Sequence, residues 1–334
     1  MKRIFIINPV AGKRDAGSWL ISRIRCAAET LGEPEPEIIV TQHAGHAAEV
    51  ARRWAAQPEP VALYACGGDG TLNEVIQGAA NHPQVAVGCV PCGSGNDYVR
   101  NFGTEEESPF LDMQAQLRAG TARVDLLETS LGLGVDICAA GLDAQVAYGI
   151  PKYRRLPGCG GTMAYTLSIV ETMFRHFGHA LRVTLDGKTE NGTYMMAALC
   201  NGRFYGGGYM AAPYALMDDG VLDVVLVKPV PRLRIASLLA QYKSGAHLQP
   251  DGTVSEALRP YMTFCRAREV RMEVLDSRPL IATVDGECAP VRQLFARTLP
   301  GALTVLLPQT ILHAAGISAG VYPIHTGCSQ TRSM

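Results

Sequence analysis

The segment Cys66-Gly67-Gly68-Asp69-Gly70-Thr71-Leu72-Asn73-Glu74 sets glycines and a carboxylate between an apolar run and a helical one. Glycines let the backbone turn tightly and bring bare N–H groups against phosphate oxygens, and a helix start adds partial positive charge. Asp69 offers a hard oxygen for Mg²⁺ or a proton acceptor. Asp-Gly pairs alone close many hairpins, so the weight rests on the strand-loop-helix order. Pro91-Cys92-Gly93-Ser94-Gly95-Asn96-Asp97 leaves the next apolar run in the same way. A helix cap by Ser94 or Asn96 explains part of it but does not call for Gly93, Gly95 and Asp97 together. A third loop, Asn8-Pro9-Val10-Ala11-Gly12-Lys13, brings a lysine able to meet phosphate as a point charge.

These loops need a scaffold that collects them. The first 125 residues alternate β-branched runs with amphipathic or alanine-rich ones, which predicts βαβ units and a parallel sheet. Strands are expected near residues 3–7, 37–41, 61–65 and 85–90, and helices near 16–31, 44–56, 72–80 and 96–102. The three loops then leave one edge of the sheet, where ligands collect in such folds. Walker A spacing, GxGxxG, HExxH and GxSxG are all missing, which disfavours P-loop enzymes, zinc proteases and serine hydrolases.

After Val124 the pattern turns to short β-rich runs broken by turns, at 124–127, 181–185, 195–199, 222–227, 269–275, 280–284 and 303–307. This half reads as antiparallel β with helical interruptions near 163–175 and 233–242. Met163, Leu167, Val170, Met173 and Phe174 are read as packing against the sheet rather than as a membrane face. Asp285-Gly286-Glu287 offers carboxylates that could face the first domain, although spacing alone favours a hairpin turn. Met217-Asp218-Asp219-Gly220 either binds a metal or begins the next strand.

Composition sets bounds. With 334 residues, 47% hydrophobic and 18% charged, the chain can bury two sizeable cores, and two domains suggest a cleft. A net charge of −1 excludes a globally basic nucleic-acid binder. Lys152, Arg154 and Arg155 beside Tyr153 are read as a solvated loop. The opening apolar run is too short for a signal peptide, and no run of about 18 apolar residues suggests a span. Ten cysteines without repeated spacing fit reduced thiols in a cytoplasm, and Cys89-Val90-Pro91-Cys92 is read as a strand running into a loop.

Taken together, the motifs resemble the diacylglycerol kinase catalytic family in its soluble bacterial branch, related to the sphingosine kinases. Asn8-Pro9 with Gly12-Lys13, the 67–71 loop, residues 91–100, Gly141-Leu142-Asp143, Asn201 through Gly206-Gly207-Gly208 to Ala211-Ala212-Pro213, Asp219-Gly220 and Asp285-Gly286-Glu287 occur in family order over nearly the whole chain. The resemblance implies an α/β nucleotide-binding domain at 1–125, similar to NAD kinases and phosphofructokinases. It also implies a lipid-binding, mainly antiparallel β-sandwich at 126–308 and a segment at 309–334 that can return to the first domain. By the same resemblance Asn8, Thr41, Gly67, Gly68, Asp69, Gly70, Thr71, Ser94 and Asn96 contact ATP, and Lys13 contacts its phosphates. Asp69 and Asp97 serve Mg²⁺ and charge positioning, and Glu287 is the general base. Asp219, with the carbonyls of Leu216 and Val221, holds a structural Mg²⁺.

The implied reaction moves the γ-phosphate of ATP to a lipid hydroxyl, diacylglycerol to phosphatidic acid being the leading case, at a membrane surface visited peripherally. A homodimer is compatible with the family. Departures are mild: Ala11 replaces a frequent serine, Ser94 a threonine, and Tyr98-Val99 the usual Phe-Ala. An NAD kinase-like enzyme shares the first loop but not the second, and a catalytically inactive nucleotide- or lipid-binding regulator would not need Asp69, Asp97 and Glu287.

Overall fold

The first strand shows why the N-terminal half folds as it does. In β1 (Lys2–Ile7), Ile4 and Ile6 enter a core with Val50, Leu63 and Ile76, while Phe5 and Ile7 enter another with Leu20, Ile24 and Tyr64. A strand buried on both faces reads as an unbroken apolar run, the mark of a sheet sandwiched between helices. β1 pairs in parallel with β2 (Glu37–Val40) and β3 (Val61–Gly67), and β3 with β4 (Val85–Pro91). Helices α1 (Ala16–Leu31), α2 (His46–Ala55) and α3 (Asp69–Ala79) cover the sheet, α1 on one face and α2 with α3 on the other. The computed structural model describes residues 1–12, 16–93, 95–103, 109–154, 163, 167–168, 171–172 and 178–314.

The sheet does not stop at the first domain. The long strand β18 (Gln293–Leu307) runs parallel to β4 through Thr304–Leu306, and its first half pairs antiparallel with β15 (Glu269–Val274). β5 (Gly120–Thr129) lies antiparallel along β18, with an irregularity between Leu299 and Leu303. β5 therefore crosses position 125, where a domain change is expected, and joins the two halves by continuous strands. β15 continues into β8 (His179–Leu185) and β9 (Lys188–Tyr194).

A second sheet, all antiparallel, has the order β14-β13-β10-β7-β16-β17. Its strands are β7 (Ile137–Gly141), β10 (Met196–Cys200), β13 (Leu222–Val227), β14 (Met262–Ala267), β16 (Leu280–Val284) and β17 (Glu287–Val291). Leu222, Val224 and Leu226 meet Leu181, Val183 and Val270 of the facing sheet, which forms the β-sandwich core. Val225 and Val227 point outward and are covered by Leu238 and Tyr242 of the helix Arg232–Ser244. After β18, Ile311 of the helix Gln309–Ala314 packs into the core that holds Ile4.

Three expectations shift. α3 begins at Asp69 rather than near residue 72, because Gly68 is extended and Asp69 enters the first turn. The helix expected at 96–102 is one turn, α4 (Asp97–Arg100), entered from Asn96 in the left-handed region. β18 starts ten residues before the strand expected at 303–307; its first half buries only alternate residues, Leu294, Ala296 and Thr298. The helix expected near 163–175 lies largely outside the described residues. Among the described residues, no helix is long and apolar enough to cross a membrane.

Candidate active site

The three glycine loops meet at the edge of the parallel sheet. A Cβ on Gly93 would overlap the Gly68 Cα, a Cβ on Gly12 would overlap the Cys92 carbonyl, and a Cβ on Gly95 would stand 2.6 Å from Asp69 Oδ2. Glycine is thus required by close backbone approach at Gly93 and Gly12, and at Gly12 also by its φ of +75°, whereas at Gly95 a Cβ would press on the Asp69 carboxylate. Polar bonds lock the arrangement: Asn8 Nδ2 donates to Thr71 Oγ1 at 3.1 Å, and the Asn96 amide exchanges bonds with Gly93. Cys92 and Gly93 both donate their N–H to the Gly67 carbonyl, at 2.8 and 3.1 Å. Lys13 and Ser94 lie outside the described residues.

Asp69 sits in the first turn of α3, where a negative side chain suits the helix dipole. Its Oδ1 accepts the Asp97 N–H at 2.8 Å, which sets the two carboxylates side by side. Burial, then the charge of Asp97, pushes Asp69 up to about 7. Asp97 is buried and also raised by burial; its Oδ2 accepts the Gly207 N–H at 2.7 Å, while its Oδ1 has no hydrogen-bond partner. Arg100 Nε approaches that oxygen at 3.4 Å, an ion pair without hydrogen-bond alignment.

Beside the loops is a cavity of about 260 Å³ lined by residues including Asn8, Thr41, His43, Thr71 and Glu74. Thr41 is fixed by its N–H bond to the Ile7 carbonyl, at 2.8 Å. Glu74, one turn along α3, accepts the N–H groups of Gly45 and Ala47 at 2.9 and 3.1 Å and so shapes one wall. His43 and His46 stack with centroids 5.0 Å apart.

The second domain reaches this site through a hairpin. β16 and β17 close with Val284 opposite Glu287, leaving Asp285 and Gly286 as a two-residue turn with φ of 46° and 96°. That is the Asp-Gly turn with both central residues left-handed that suits strand twist. The Asp285 carboxylate accepts the N–H groups of Val135, Asp136 and Ile137 at 2.7, 3.1 and 3.0 Å, and Asn73 Nδ2 of α3 approaches it at 3.4 Å. The hairpin is therefore moored beside the first glycine loop. Glu287 opens β17 and is exposed. The other acidic loop is held by Asp125, which accepts the N–H groups of Gly220 and Gly301, both at 2.7 Å. Asp219 accepts the Val221 N–H at 3.2 Å, and Leu216 is exposed. Among the described residues, no group of three or more His, Cys, Asp or Glu side chains is arranged to hold a metal ion by itself.

The diacylglycerol kinase catalytic domain family matches residues 2–129, and the YegS C-terminal NAD kinase beta sandwich-like domain matches residues 136–307. The chain belongs to the YegS-like and diacylglycerol kinase family. A probable lipid kinase YegS-like of Shewanella frigidimarina is 28% identical over 247 residues, 72% of this chain and 75% of the relative. A diacylglycerol kinase of Staphylococcus carnosus is 25% identical over 283 residues, 84% and 87% of the two chains. In fold, the chain is similar to the crystal structure of a putative diacylglycerol kinase from Bacillus anthracis, with a TM-score of 0.70 at 18% identity, covering 92% of this chain and 97% of that one.

In this lipid kinase fold, several groups escaped the sequence reading. Burial first, then the charges of Asp285, Asp69 and Asp97, pushes the Asp136 carboxyl far up; Asn101 Nδ2 donates to it at 2.7 Å. No motif announces Asp136, since it lies between two short strands. Asn73 and Glu74 stood inside the quoted loop but had no role assigned. Asn101 accepts the Arg203 N–H at 2.6 Å and, with the Asp97–Gly207 bond, ties the two domains across the site.

Proposed function

We propose that the chain is an ATP-dependent lipid kinase that moves the γ-phosphate to a lipid hydroxyl at a membrane surface, with diacylglycerol as the first acceptor to test. The observation that carries this reading is the convergence of three glycine loops over Asp69 and Asp97, with the Asp285–Glu287 hairpin moored to α3 beside them. Residues 1–125 would serve the nucleotide and 126–308 the lipid. The cavity at Thr41 and Glu74 would take the nucleoside, and the backbone of Gly67, Gly68, Gly70, Gly93 and Gly12 would line the phosphates. Asn8, Thr71, Ser94 and Asn96 would fix those loops or bond to phosphate, and Lys13 would add positive charge.

The carboxylates fit Mg²⁺. Burial raises all three of Asp69, Asp97 and Asp136, the charge of Asp97 adds to the rise at Asp69, those of Asp285, Asp69 and Asp97 add to it at Asp136, and Asp97 Oδ1 is buried without a hydrogen-bond partner. Mg²⁺ keeps several waters and binds through one or two carboxylates plus substrate phosphates, so Asp69 and Asp97 suffice without an all-protein cage. The ion would supply charge neutralisation at the triphosphate. Asp219, with the Leu216 and Val221 carbonyls, is the proposed second, structural position, where Asp125 and Asp218 add negative potential.

Phosphoryl transfer asks the protein chiefly for positioning and charge neutralisation. Glu287 would accept the lipid hydroxyl's proton as its oxygen attacks the phosphorus. Its exposure leaves it open to an acceptor arriving from the second domain. The test offers ATP, Mg²⁺ and mixed micelles of candidate lipids, with product read by mass spectrometry. A phosphorylated lipid supports the reading, whereas phosphorylated NAD, or nucleotide binding without turnover, would replace it.

A further inference from the structure

One polar cluster in the second domain has no part in the reading above. β7 ends at Gly141, whose φ is +102° and where a Cβ would overlap the Met195 carbonyl, so the chain turns sharply into α6 (Leu142–Arg154). Asp143 stands in the first turn. Its Oδ1 accepts the Ala144 N–H at 2.8 Å and its Oδ2 accepts the Tyr205 hydroxyl at 2.7 Å. Leu142, Ala211, Ala212 and Met262 make the surroundings apolar. Burial pushes the carboxyl up to about 6, and the groups opposing that rise are Tyr205 and backbone N–H groups rather than a cation.

Next to this pair is the Tyr242 hydroxyl. The ring is 1% exposed, meets Tyr205 edge-on at 6.2 Å, and lies within the field of Asp143; its hydroxyl interacts with the Tyr205 hydroxyl but makes no hydrogen bond of ordinary geometry. Buried polar groups are nearly always paired, and an exception calls for an absent partner. Asp143 itself is half-buried and keeps unused lone pairs.

The position connects the cluster to the reaction site. Tyr205 is two residues from Gly207, which binds Asp97, and α6 packs on β17, the strand that begins with Glu287. A group held at Asp143 therefore lies between the elements that carry Asp97 and Glu287.

We propose that Asp143, with the hydroxyls of Tyr205 and Tyr242, binds a second hydroxyl on the acceptor lipid, so that the preferred substrate is a diol lipid such as a monoacylglycerol. This rests on the lipid kinase reading and narrows its acceptor. A carboxylate takes a donor, and the second hydroxyl of the diol gives its hydrogen to Asp143 while accepting from Tyr242. Once one hydroxyl of diacylglycerol is placed for reaction, its remaining oxygens are ester acceptors, which an ionised Asp143 repels. A site built to bond a hydroxyl discriminates strongly against the analogue lacking it.

The test compares 1-monoacylglycerol and 1,2-diacylglycerol of one acyl chain, at equal mole fraction in detergent micelles with ATP and Mg²⁺. Wild-type kcat/KM is expected to favour the monoacylglycerol by about tenfold or more. In Asp143→Asn that ratio falls towards one, chiefly through KM, and Asp143→Glu restores part of it. Tyr242→Phe shrinks the ratio by a few-fold and serves in place of Asp143→Asn should the latter fail to fold. Equilibrium binding of a short-chain monoacylglycerol, without ATP, separates the two readings. If no lipid is phosphorylated but Asp143→Asn abolishes that binding, the kinase reading fails and the diol site stands. If wild type shows no preference and no binding, or the variant matches wild type in both, the diol site is refuted while any lipid phosphorylation upholds the kinase.

Discussion

The Asp97 carboxylate accepts the Gly207 N–H at 2.7 Å across the cleft, joining the end of the second glycine loop to the second domain. Asp97→Ala would leave that N–H without its partner, at a cost of about 1–3 kcal/mol. Nucleotide-supported turnover should fall further than stability. Urea denaturation with a parallel kinase assay checks this; unchanged turnover would remove Asp97 from the site.

Gly93 faces Gly68 so closely that a Cβ would overlap backbone, which cannot move aside like a side-chain tip. Gly93→Ala should spread the two loops and weaken ATP binding by about tenfold or more, the consequence of an ångström-scale misplacement. Gly70→Ala is the comparison, since its Cβ meets no protein atom within 4 Å and any loss there would report on the nucleotide rather than on the spacing of the loops. Nucleotide titration calorimetry distinguishes them; equal affinity for both variants would contradict the close approach.

Glu74 holds the turn before α2 through the N–H groups of Gly45 and Ala47. Glu74→Ala removes both acceptors, so the cavity wall at Thr41 and His43 loosens. KM for ATP should rise several-fold while KM for lipid stays close to wild type. A parallel rise in both would mean general unfolding.

Asp69 is raised from 3.8 to about 7, first by burial and then by Asp97. Between those values the folded protein holds a proton that the unfolded chain has released, so this group makes stability fall as pH climbs through the window. Asp69→Asn removes the effect. The variant should gain on wild type by on the order of 1–3 kcal/mol more at pH 8 than at pH 5. Chemical denaturation at both pH values measures it; a difference independent of pH would show that Asp69 titrates normally.

Much of this architecture was legible in the sequence. β1, β3 and β4 announce themselves because both faces are buried and the residues run apolar without a break. The loops announce themselves because close backbone approach permits only glycine. The hairpin at Asp285 shows the limit: Asp-Gly with alternating flanks identifies the turn, but nothing local reveals that Asp285 binds three N–H groups from a distant segment. Asp136 and Asn101 were invisible for the same reason, since their importance lies in partners 35 positions apart. The first half of β18 was missed because its exposed Gln293 and Arg297 dilute the apolar signal of Leu294 and Ala296.

The central claim is that Glu287 takes the proton from a lipid hydroxyl while the glycine loops hold ATP. The most direct measurement incubates wild type and Glu287→Gln with ATP radiolabelled in its γ-phosphate, Mg²⁺ and lipid micelles, then counts label extracted into organic solvent. Wild type should label lipid, and the variant should fall by ~10²–10⁴ in rate with nucleotide affinity nearly unchanged. Unlabelled lipid with wild type, or full turnover in the variant, would contradict the account.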